Sequence, residues 1–505
     1  MLKEIVSTTA NYTKEHGKAA RKKKGQFFTP LSIVDFMVKK GAAAAEHLSI
    51  LEPGAGNGLL TAALIKQCLN HGLCHSFSVH FIENDPDILP VLQKTAELIS
   101  DYAAQHHASA EIKISNQNYI TAKDNTLYDI VICNPPYKKI RKDSEESMCM
   151  NDYVYGQPNL YALFMCKAMH HLNPNGKFIF ITPRSWVSGN YYKVARKFLL
   201  ENLNLTDLLL FEDRNKVFDG EDVLQETLIT IGTKSTVQEP KIHIYTTPDD
   251  SEKFGYISAS AESIKSVGTD SYLLLPSSEA DLQVIQKMAS ITDTFESLGY
   301  CFKTGPVVEF RNKEALSTDK KDGYVPMYRS ANIVNGNFIF PANTTKAQYM
   351  KASEKKLLLS NSNTVLLRRL SAKEEKRRLQ SCVYYRSGTT DTISIENHVN
   401  YLVRTDHRPL SAKEVEWIHG LLMSDEYDTY YRLISAACSF SANAVSLKSE
   451  FIHSLKVQFP HGTLQFHSSL NRLFSRFLSA INNALFPSTD NTLHLIGSFS
   501  LLDCI

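Results

Sequence analysis

Three glycines within five residues, directly after an apolar run, constrain the fold of this 505-residue chain more than any other feature. Gly54, Gly56 and Gly58 stand between a strand-like run and a helix-like pattern. Glycine can adopt a positive φ and lets a ligand approach the backbone closely, and the helix start behind it offers unpaired N–H groups. The segment predicts a strand, a ligand-binding turn and a helix in succession. A turn that only reverses the chain is the alternative.

The spacing of this turn argues against two common nucleotide sites. A dinucleotide-binding turn has the pattern GxGxxG, and Leu59 stands where its third glycine would be. The GK[ST] ending of a phosphate-binding P-loop is also missing. Glu83 ends the next strand-like run, where a carboxylate can accept hydrogen bonds from both hydroxyls of a ribose. The pattern disfavours nicotinamide or flavin cofactors and ATP hydrolysis, and it favours a ribose-bearing ligand over a merely solvated acid at Glu83.

The alternation of strand-like and helix-like segments predicts an α/β domain with a mostly parallel sheet. The seven candidate strands are residues 49–52, 78–83, 111–115, 129–133, 177–182, 206–211 and 227–232. Polar residues accumulate after 232, so we expect a basic segment at 1–30, the α/β domain at 31–235 and a less regular domain at 241–505. In that last domain, residues 411–423 and 468–484 are the clearest helices.

Composition limits the classes of protein further. The chain has 55 basic and 53 acidic residues, so any polyanion-binding surface must come from local clustering. Nine cysteines without a CxxC pair argue against a disulfide framework or a zinc site. No apolar stretch approaches the roughly 18 residues that span a membrane, and no secretory signal begins the chain. We expect a cytoplasmic protein without a metal and without a membrane partner.

A second motif closes the fourth strand-like run: Asn134, Pro135, Pro136 and Tyr137. The prolines fix φ and remove two N–H donors, which leaves a stiff edge that presents carbonyl groups. Asn134 offers an amide oxygen and Tyr137 a flat ring. Together they could accept hydrogen bonds from a planar exocyclic amine and stack on its ring, whereas the structural alternative is a turn that ends the strand.

These motifs resemble those of S-adenosylmethionine-dependent amino-methyltransferases with an NPPY tetrad. Residues 25–30, GQFFTP, resemble the additional N-terminal motif of the γ class of N6-adenine DNA methyltransferases. Residues 304–311 and 367–379 are similar to segments of type II restriction–modification methyltransferases of the PstI/BsuBI kind. The resemblance implies a Rossmann-like, mostly parallel sheet of seven strands, followed by a mixed α+β target-recognition domain.

The resemblance also implies roles for individual residues. Thr29 would contact the methionine part of S-adenosylmethionine, and Glu83 the ribose. The family commonly has an aspartate for the cofactor's adenine amine where this chain has Asn118, whose amide oxygen could still accept that hydrogen bond. The implied cofactor-binding residues are Thr29, Glu52, Pro53, Gly54, Gly56, Gly58, Glu83, Asn118, Tyr119 and Asn134.

For the target, the resemblance implies that Asn134 and the Pro135 carbonyl accept the N6 hydrogens of a flipped-out adenine. Tyr137 and Phe218 would stack on its two faces, although Phe218 could equally be a core residue. Basic residues near the tetrad and in the C-terminal half would contact DNA, although such runs are usually only solvated: Lys138, Lys139, Arg141, Arg368 and Arg369.

The expected function is site-specific N6-adenine methylation of double-stranded DNA, which protects host DNA from a cognate restriction endonuclease. That endonuclease would be a functional rather than a physical partner, and we expect a monomer. Two alternatives remain open: an NPPY methyltransferase that acts on RNA or on protein glutamine, and a non-catalytic DNA-binding subunit of a methylation complex.

Overall fold

A computed structural model describes residues 1–211, 227–247, 254–266, 271–371, 375–435 and 445–446 of the protein. A nine-stranded sheet forms the centre of its N-terminal half. The strands are β1 (Leu48–Pro53), β2 (Ser76–Glu83), β3 (Ser109–Asn116), β4 (Tyr128–Cys133), β5 (Leu172–Pro183), β6 (Leu203–Phe211), β7 (Thr227–Lys234), β8 (Lys241–Thr247) and β9 (Gly255–Ser260).

The order across the sheet is β3-β2-β1-β4-β5-β7-β6-β8-β9. The first five strands in this order, β3, β2, β1, β4 and β5, are parallel to one another, and β6 is parallel to β8. The exceptions are β7, which is antiparallel to both of its neighbours, and β9, which is antiparallel to β8. All seven candidate strands are present, which confirms the α/β class and the predominance of parallel pairs in the described sheet.

The predicted number of seven strands is wrong. After the polar segment that suggested a domain boundary, β8 pairs with β6 and β9 folds back on β8. Alternate residues of β8, including Ile242 and Ile244, are fully buried. The hydrophobic pattern of a strand therefore continues beyond residue 240, and the polar segment is a connection within the sheet.

Helices cover the sheet of this half of the chain. They are α1 (Leu2–Glu15), α2 (Lys18–Lys24), α3 (Leu31–Gly41), α4 (Leu59–Asn70), α5 (Leu89–Gln105), α6 (Glu145–Cys149), α7 (Leu160–His171), α8 (Lys193–Asn202) and the short α9 (Ala261–Ile264). The apolar faces of α3 and α4 pack against the strands, and Met37, Leu64 and Ile132 are fully buried there. Burial of each such side chain stabilises the fold by about 1.5–3 kcal/mol.

The described residues of the C-terminal half form shorter strands and three further helices. The strands are β10 (Lys265–Ser266), β11 (Tyr272–Leu273), β12 (Tyr300–Thr304), β13 (Leu316–Ser317), β14 (Tyr324–Tyr328), β15 (Ile333–Val334), β16 (Asn337–Phe338), β17 (Tyr349–Lys351), β18 (Leu359–Ser360), β19 (Thr364–Arg368), β20 (Leu370–Ser371), β21 (Ser381–Tyr384), β22 (Thr392–Ile395), β23 (Val399–Arg404) and β24 (Val445–Ser446). The helices are α10 (Glu279–Ala289), α11 (Ala412–Leu422) and α12 (Asp425–Ser435).

Nine of these strands form two sheets, a four-stranded one in the order β12-β23-β19-β21 and a five-stranded one in the order β13-β17-β14-β22-β18. The other six pair as β10-β11, β15-β16 and β20-β24. The predicted helix at 411–423 is confirmed as α11, which Ser411 and Glu414 begin with a capping box. The predicted helix at 468–484 lies outside the described residues. Within the part of the chain that is described, no helix has the length and apolarity to cross a membrane.

The carboxylate of Glu52 holds the start of α4 against the end of β1. Its Oε2 atom accepts a hydrogen bond from the Thr61 backbone N–H at 2.9 Å, one of the N–H groups that the first helical turn cannot pair. Gly58, just before α4, has φ +70°, and a Cβ there would lie 2.9 Å from Leu92 Cδ1. The turn therefore requires glycine both for its backbone and for close packing against α5.

Burial raises the pKa of Glu52 from its ordinary 4.5 to about 8; the hydrogen bond from Thr61 opposes this rise and the charge of Glu83 adds to it. The unfolded chain therefore loses this proton near pH 4.5, whereas the folded protein keeps it until about pH 8. Between these values the folded state binds more protons than the unfolded state. Glu52 therefore lowers the free energy of unfolding progressively as the pH rises through this window.

We expect Glu52→Gln to be increasingly more stable than the wild type as the pH rises from 4.5 to 8. Glutamine cannot ionise, but its amide oxygen can still accept the Thr61 hydrogen bond. The difference in free energy of unfolding should grow by at most about 1.4 kcal/mol per pH unit and become constant above the window. Urea unfolding at several pH values measures it. Glu46→Gln, at an exposed position, is the control, and its free energy of unfolding should not diverge from that of the wild type as the pH rises. A pH-independent difference for Glu52→Gln would contradict the prediction.

Candidate active site

A cavity of about 370 Å³ opens where β1, β2, β3 and β4 end at the same edge of the sheet. It is lined by residues 24–29, by the glycine loop and by residues that follow the other three strands. Ligands of open α/β sheets bind beyond the carboxyl ends of the strands, and small-molecule pockets commonly have volumes of about 300–1,000 Å³. The cavity therefore lies where the sequence motifs predict a ligand.

The glycine loop has the conformation that its sequence predicts. Gly54, Gly56 and Gly58 have φ values of +63°, +55° and +70°. The loop is held to the next strand by hydrogen bonds from the Gly54 and Ala55 backbone N–H groups to the Ile82 carbonyl. Gly54 and Gly56 line the cavity, whereas Gly58 is at the start of α4 and does not line it.

Two other predicted cofactor contacts lie beside or beneath the loop. Pro53 is the last residue of β1 and does not line the cavity, and its carbonyl accepts a hydrogen bond from the Cys133 thiol. Glu52 lines the cavity but is only 2 % exposed, and its hydrogen bond goes to α4. Both residues shape the loop from below, and their contact with a cofactor stays a prediction.

The carboxylate of Glu83 is fixed by three backbone N–H groups. Oε2 accepts from Gly56 at 2.7 Å, and Oε1 accepts from Asn84 and Asp85 at 2.8 Å each. Burial raises the pKa of Glu83, while these hydrogen bonds lower it. A carboxylate has about four lone-pair positions, so Glu83 keeps room for about one more donor. It can therefore receive one hydroxyl of a ribose without losing its support.

The N-terminal segment determines the orientation of Asn134. The Asn134 Nδ2 group donates to the Phe27 carbonyl at 2.9 Å and to the Thr29 hydroxyl at 3.0 Å. Both amide hydrogens are thereby used, and within the described residues no donor reaches Oδ1. The side chain thus presents a fixed and unoccupied acceptor at the cavity. The sequence indicated Thr29 as a cofactor contact and missed its bond to Asn134.

Tyr137 is anchored at both ends of its side chain. Its hydroxyl donates to the Ile181 carbonyl at 3.2 Å, and its ring lies 5.8 Å from the ring of Phe27 between centroids. Burial raises its pKa well above the ordinary value, so the hydroxyl stays protonated. Its predicted partner in stacking, Phe218, lies outside the described residues. Pro136 lines the cavity, whereas the buried Pro135 does not.

Asn118 contacts a residue that the sequence gave no reason to select. Its Oδ1 accepts from the Ile120 backbone N–H at 3.0 Å, and its Nδ2 donates to Glu146 Oε1 at 2.9 Å. Glu146 belongs to α6, follows the NPPY tetrad, and lines the cavity. The neighbouring Tyr119 also lines the cavity and packs its buried ring 5.0 Å from that of Phe164. No local sequence pattern connects Glu146 with Asn118.

The predicted DNA-contacting residues have different environments. Lys138 is exposed and lines the cavity, Lys139 pairs through its backbone with Asn159, and Arg141 forms an ion pair with Asp143. The half-buried Arg368 donates to the Ser330 and Ile333 carbonyls, and Arg369 donates to the Asn397 carbonyl. Arg368 and Arg369 thus help to hold the C-terminal fold, and their contact with DNA stays a prediction.

An ion pair fastens the N-terminal segment across the cavity. Lys24 Nζ lies 2.8 Å from carboxylate oxygens of both Asp85 and Asp87, and the Tyr12 hydroxyl lies 3.3 Å from Asp85 Oδ2. The basic character of residues 21–24 is therefore partly used inside the protein. Among the described residues, no group of three or more His, Cys, Asp or Glu side chains is arranged to hold a metal ion.

Comparison with known proteins gives a consistent result. The family model for the Eco57I restriction-modification methylase matches residues 74–218. The type II methyltransferase M.BsuBI of Bacillus subtilis is 29% identical over 431 residues, 83% of this chain and 85% of that protein. The type II methyltransferase M.PstI of Providencia stuartii is 27% identical over 456 residues, 88% of this chain and 89% of that protein.

Among solved structures, the type IIL restriction-modification enzyme MmeI in complex with DNA matches with a TM-score of 0.46 and 11% identity, over 97% of this chain and 70% of that one. The family model and the two type II methyltransferases together confirm the resemblance that the motifs indicate, to restriction–modification methyltransferases of the PstI/BsuBI kind.

Proposed function

We propose that the protein is the DNA methyltransferase of a type II restriction–modification system and that it methylates N6 of a specific adenine in double-stranded DNA, with S-adenosylmethionine as donor. The observation that carries this proposal is the oriented acceptor Asn134 Oδ1 at the cavity, which no donor of the described part of the chain reaches. The similarity to type II methyltransferases over most of the chain supports it.

The residues around the cavity fit S-adenosylmethionine. The strand order β3-β2-β1-β4 places Asn118, Glu83, the glycine loop and Asn134 in succession along one edge of the sheet. A nucleoside with its ribose at Glu83 and its base toward Asn118 would direct its sulfonium to the Asn134 end. When bound there, the cofactor supplies an electrophilic methyl group. Glu83 and Glu146 contribute carboxyl groups to this lining, which suits a cation, whereas Glu52 keeps its proton until about pH 8.

The adenine amine is a weak nucleophile because its lone pair is delocalised into the ring. Hydrogen bonds from the N6 hydrogens to Asn134 Oδ1 and the Pro135 carbonyl would favour a more tetrahedral nitrogen. These bonds become stronger as positive charge develops on nitrogen, so they stabilise the transition state more than the ground state. Because Phe27 and Thr29 already orient the Asn134 amide, little reorganisation is needed when the target enters.

A stacked adenine cannot reach this position, so it must leave the double helix at a cost of a few kcal/mol. The ring of Tyr137 offers one stacking surface, and its hydroxyl is held by the Ile181 carbonyl. Phe218 is proposed for the other face. Lys138, which is exposed at the cavity, is proposed to contact the phosphate backbone of the extruded nucleotide. Methylation at the recognition site would protect host DNA from the cognate endonuclease.

The decisive experiment is transfer of labelled methyl from S-adenosylmethionine to unmethylated duplex DNA, RNA and protein in parallel. We expect label on DNA alone, as N6-methyladenine, and calorimetric binding of S-adenosylmethionine but not of NAD or ATP. Label on RNA or on protein glutamine would show that the substrate is RNA or protein and not DNA. Cofactor binding without methylation of any substrate would favour a non-catalytic subunit.

We expect Asn134→Ala to lower the methylation rate by roughly 10²–10³, because an oriented polar group that stabilises the transition state is lost. Cofactor affinity should change little. Thr29→Val, which removes one of the two hydrogen bonds that orient Asn134, should give a smaller loss, and Thr29→Ser, which keeps the hydroxyl, is the matched control. Single-turnover rates and calorimetry separate the two effects. A near-normal rate for Asn134→Ala would show that Asn134 is only structural.

We expect Tyr137→Ala to lower the efficiency of methylation roughly 10- to 100-fold, since stacking on a base is worth about 1–3 kcal/mol. Tyr137→Phe keeps the ring and removes the hydroxyl that donates to the Ile181 carbonyl, so its loss should be smaller. Phe218→Ala should resemble Tyr137→Ala, and a mismatch opposite the target should reduce both losses. Fluorescence of 2-aminopurine at the target position measures extrusion. Equal signals in the wild type and both alanine variants would show that neither ring contacts the extruded base.

A further inference from the structure

The side-chain amide of Asn118 is held in one orientation. Its oxygen accepts from the Ile120 backbone N–H at 3.0 Å, and its nitrogen donates to Glu146 Oε1 at 2.9 Å. A rotation that exchanged the two amide atoms would bring the NH₂ group against the Ile120 N–H and the oxygen against the Glu146 carboxylate. Both contacts would then be repulsive. The two hydrogen bonds therefore fix which atom of Asn118 is the acceptor.

Glu146 adds a stronger acceptor at the same place. Its carboxylate has no hydrogen to donate, and only Oε1 receives a hydrogen bond from the described residues. Hydrogen bonds to an ionised acceptor are roughly twice as strong as bonds between neutral groups. Since Asn118 and Glu146 both line the cavity, this part of its wall accepts hydrogen bonds through the Glu146 carboxylate and the Asn118 oxygen.

The sheet topology determines which part of a ligand reaches this wall. Asn118 follows β3, Glu83 ends β2, and Asn134 follows β4 on the far side of β1. A nucleoside whose ribose lies at Glu83 and whose 5′ substituent extends toward Asn134 has its base on the β3 side. The acceptors of Asn118 and Glu146 are thus on the side of the base.

We propose that Glu146, held by Asn118, is the residue that recognises the exocyclic amino group of the cofactor's adenine. The inference rests on the proposed function, since it requires a nucleoside in this cavity. An amino group at position 6 donates to such a wall, whereas the keto group of hypoxanthine would face a carboxylate with no intervening hydrogen. A site built around a fixed hydrogen bond discriminates strongly against an analogue that cannot form it. The pair would therefore make the cavity selective for adenosyl over inosyl compounds.

The test compares calorimetric binding of S-adenosylhomocysteine with that of S-inosylhomocysteine, in which hypoxanthine replaces adenine. We expect the wild type to bind the adenosyl compound roughly 10- to 100-fold more tightly, as is usual for a hydrogen bond to a charged group. In Glu146→Gln the acceptor is neutral and the new amide can rotate to donate to the keto group. That variant should lose most of the preference, by weaker binding of the adenosyl compound and stronger binding of the inosyl compound.

The control is Glu145→Gln, which removes the same charge from the adjacent, exposed position of α6 and should keep the wild-type preference. Equal binding of the two compounds by the wild type would overturn the inference whatever the variants do. An unchanged preference in Glu146→Gln, or an equal loss in Glu145→Gln, would also overturn it. Each of these results leaves the proposed function standing. A wild type that binds neither compound would instead overturn the proposed function, and this inference with it.

Discussion

The two hydrogen bonds that leave the amide nitrogen of Asn134 join parts of the chain that are more than 100 residues apart. They place the N-terminal segment over the cavity, because Phe27 and Thr29 must reach the end of β4 to accept them. Gly25 makes this approach possible, since its φ of +75° turns the chain beside Pro136. The cavity, the orientation of the acceptor and the position of the Tyr137 ring against Phe27 all depend on this connection.

Two buried carboxylates stabilise the same loop in different ways. Glu83 receives three backbone hydrogen bonds, and these offset part of the cost of burying its charge. Glu52 accepts a hydrogen bond from the Thr61 backbone N–H, and burial raises its pKa to about 8. Burial raises the pKa of both carboxyl groups, and in each case the hydrogen bonds that the group accepts oppose that rise. The glycine loop supplies such an N–H group, from Gly56, to Glu83.

The basic residues show how charge that is clustered in the sequence is distributed by folding. Lys24 pairs with Asp85 and Asp87, and Arg368 donates to backbone carbonyls, so both act within the protein. Lys138, in contrast, stays exposed at the cavity. A guanidinium or ammonium group satisfied inside the fold has fewer donors left for phosphate. Position relative to the cavity therefore says more about nucleic-acid contact than the number of basic residues in a run.

The sequence by itself determined the α/β class, seven of the nine strands of the large sheet and the glycine turn, because these depend on local periodicity and on the backbone freedom of glycine. It also singled out residues 134–137, whose role stays a prediction. It did not determine that β8 and β9 extend the sheet, because a polar connection before them has the appearance of a boundary. Nor did it select Glu146, which contacts Asn118 only because the segment after the tetrad folds back over the end of β3. Contacts between distant segments arise from packing and hydrogen bonding of the whole chain, so only the tertiary structure decided which side chains share the cavity.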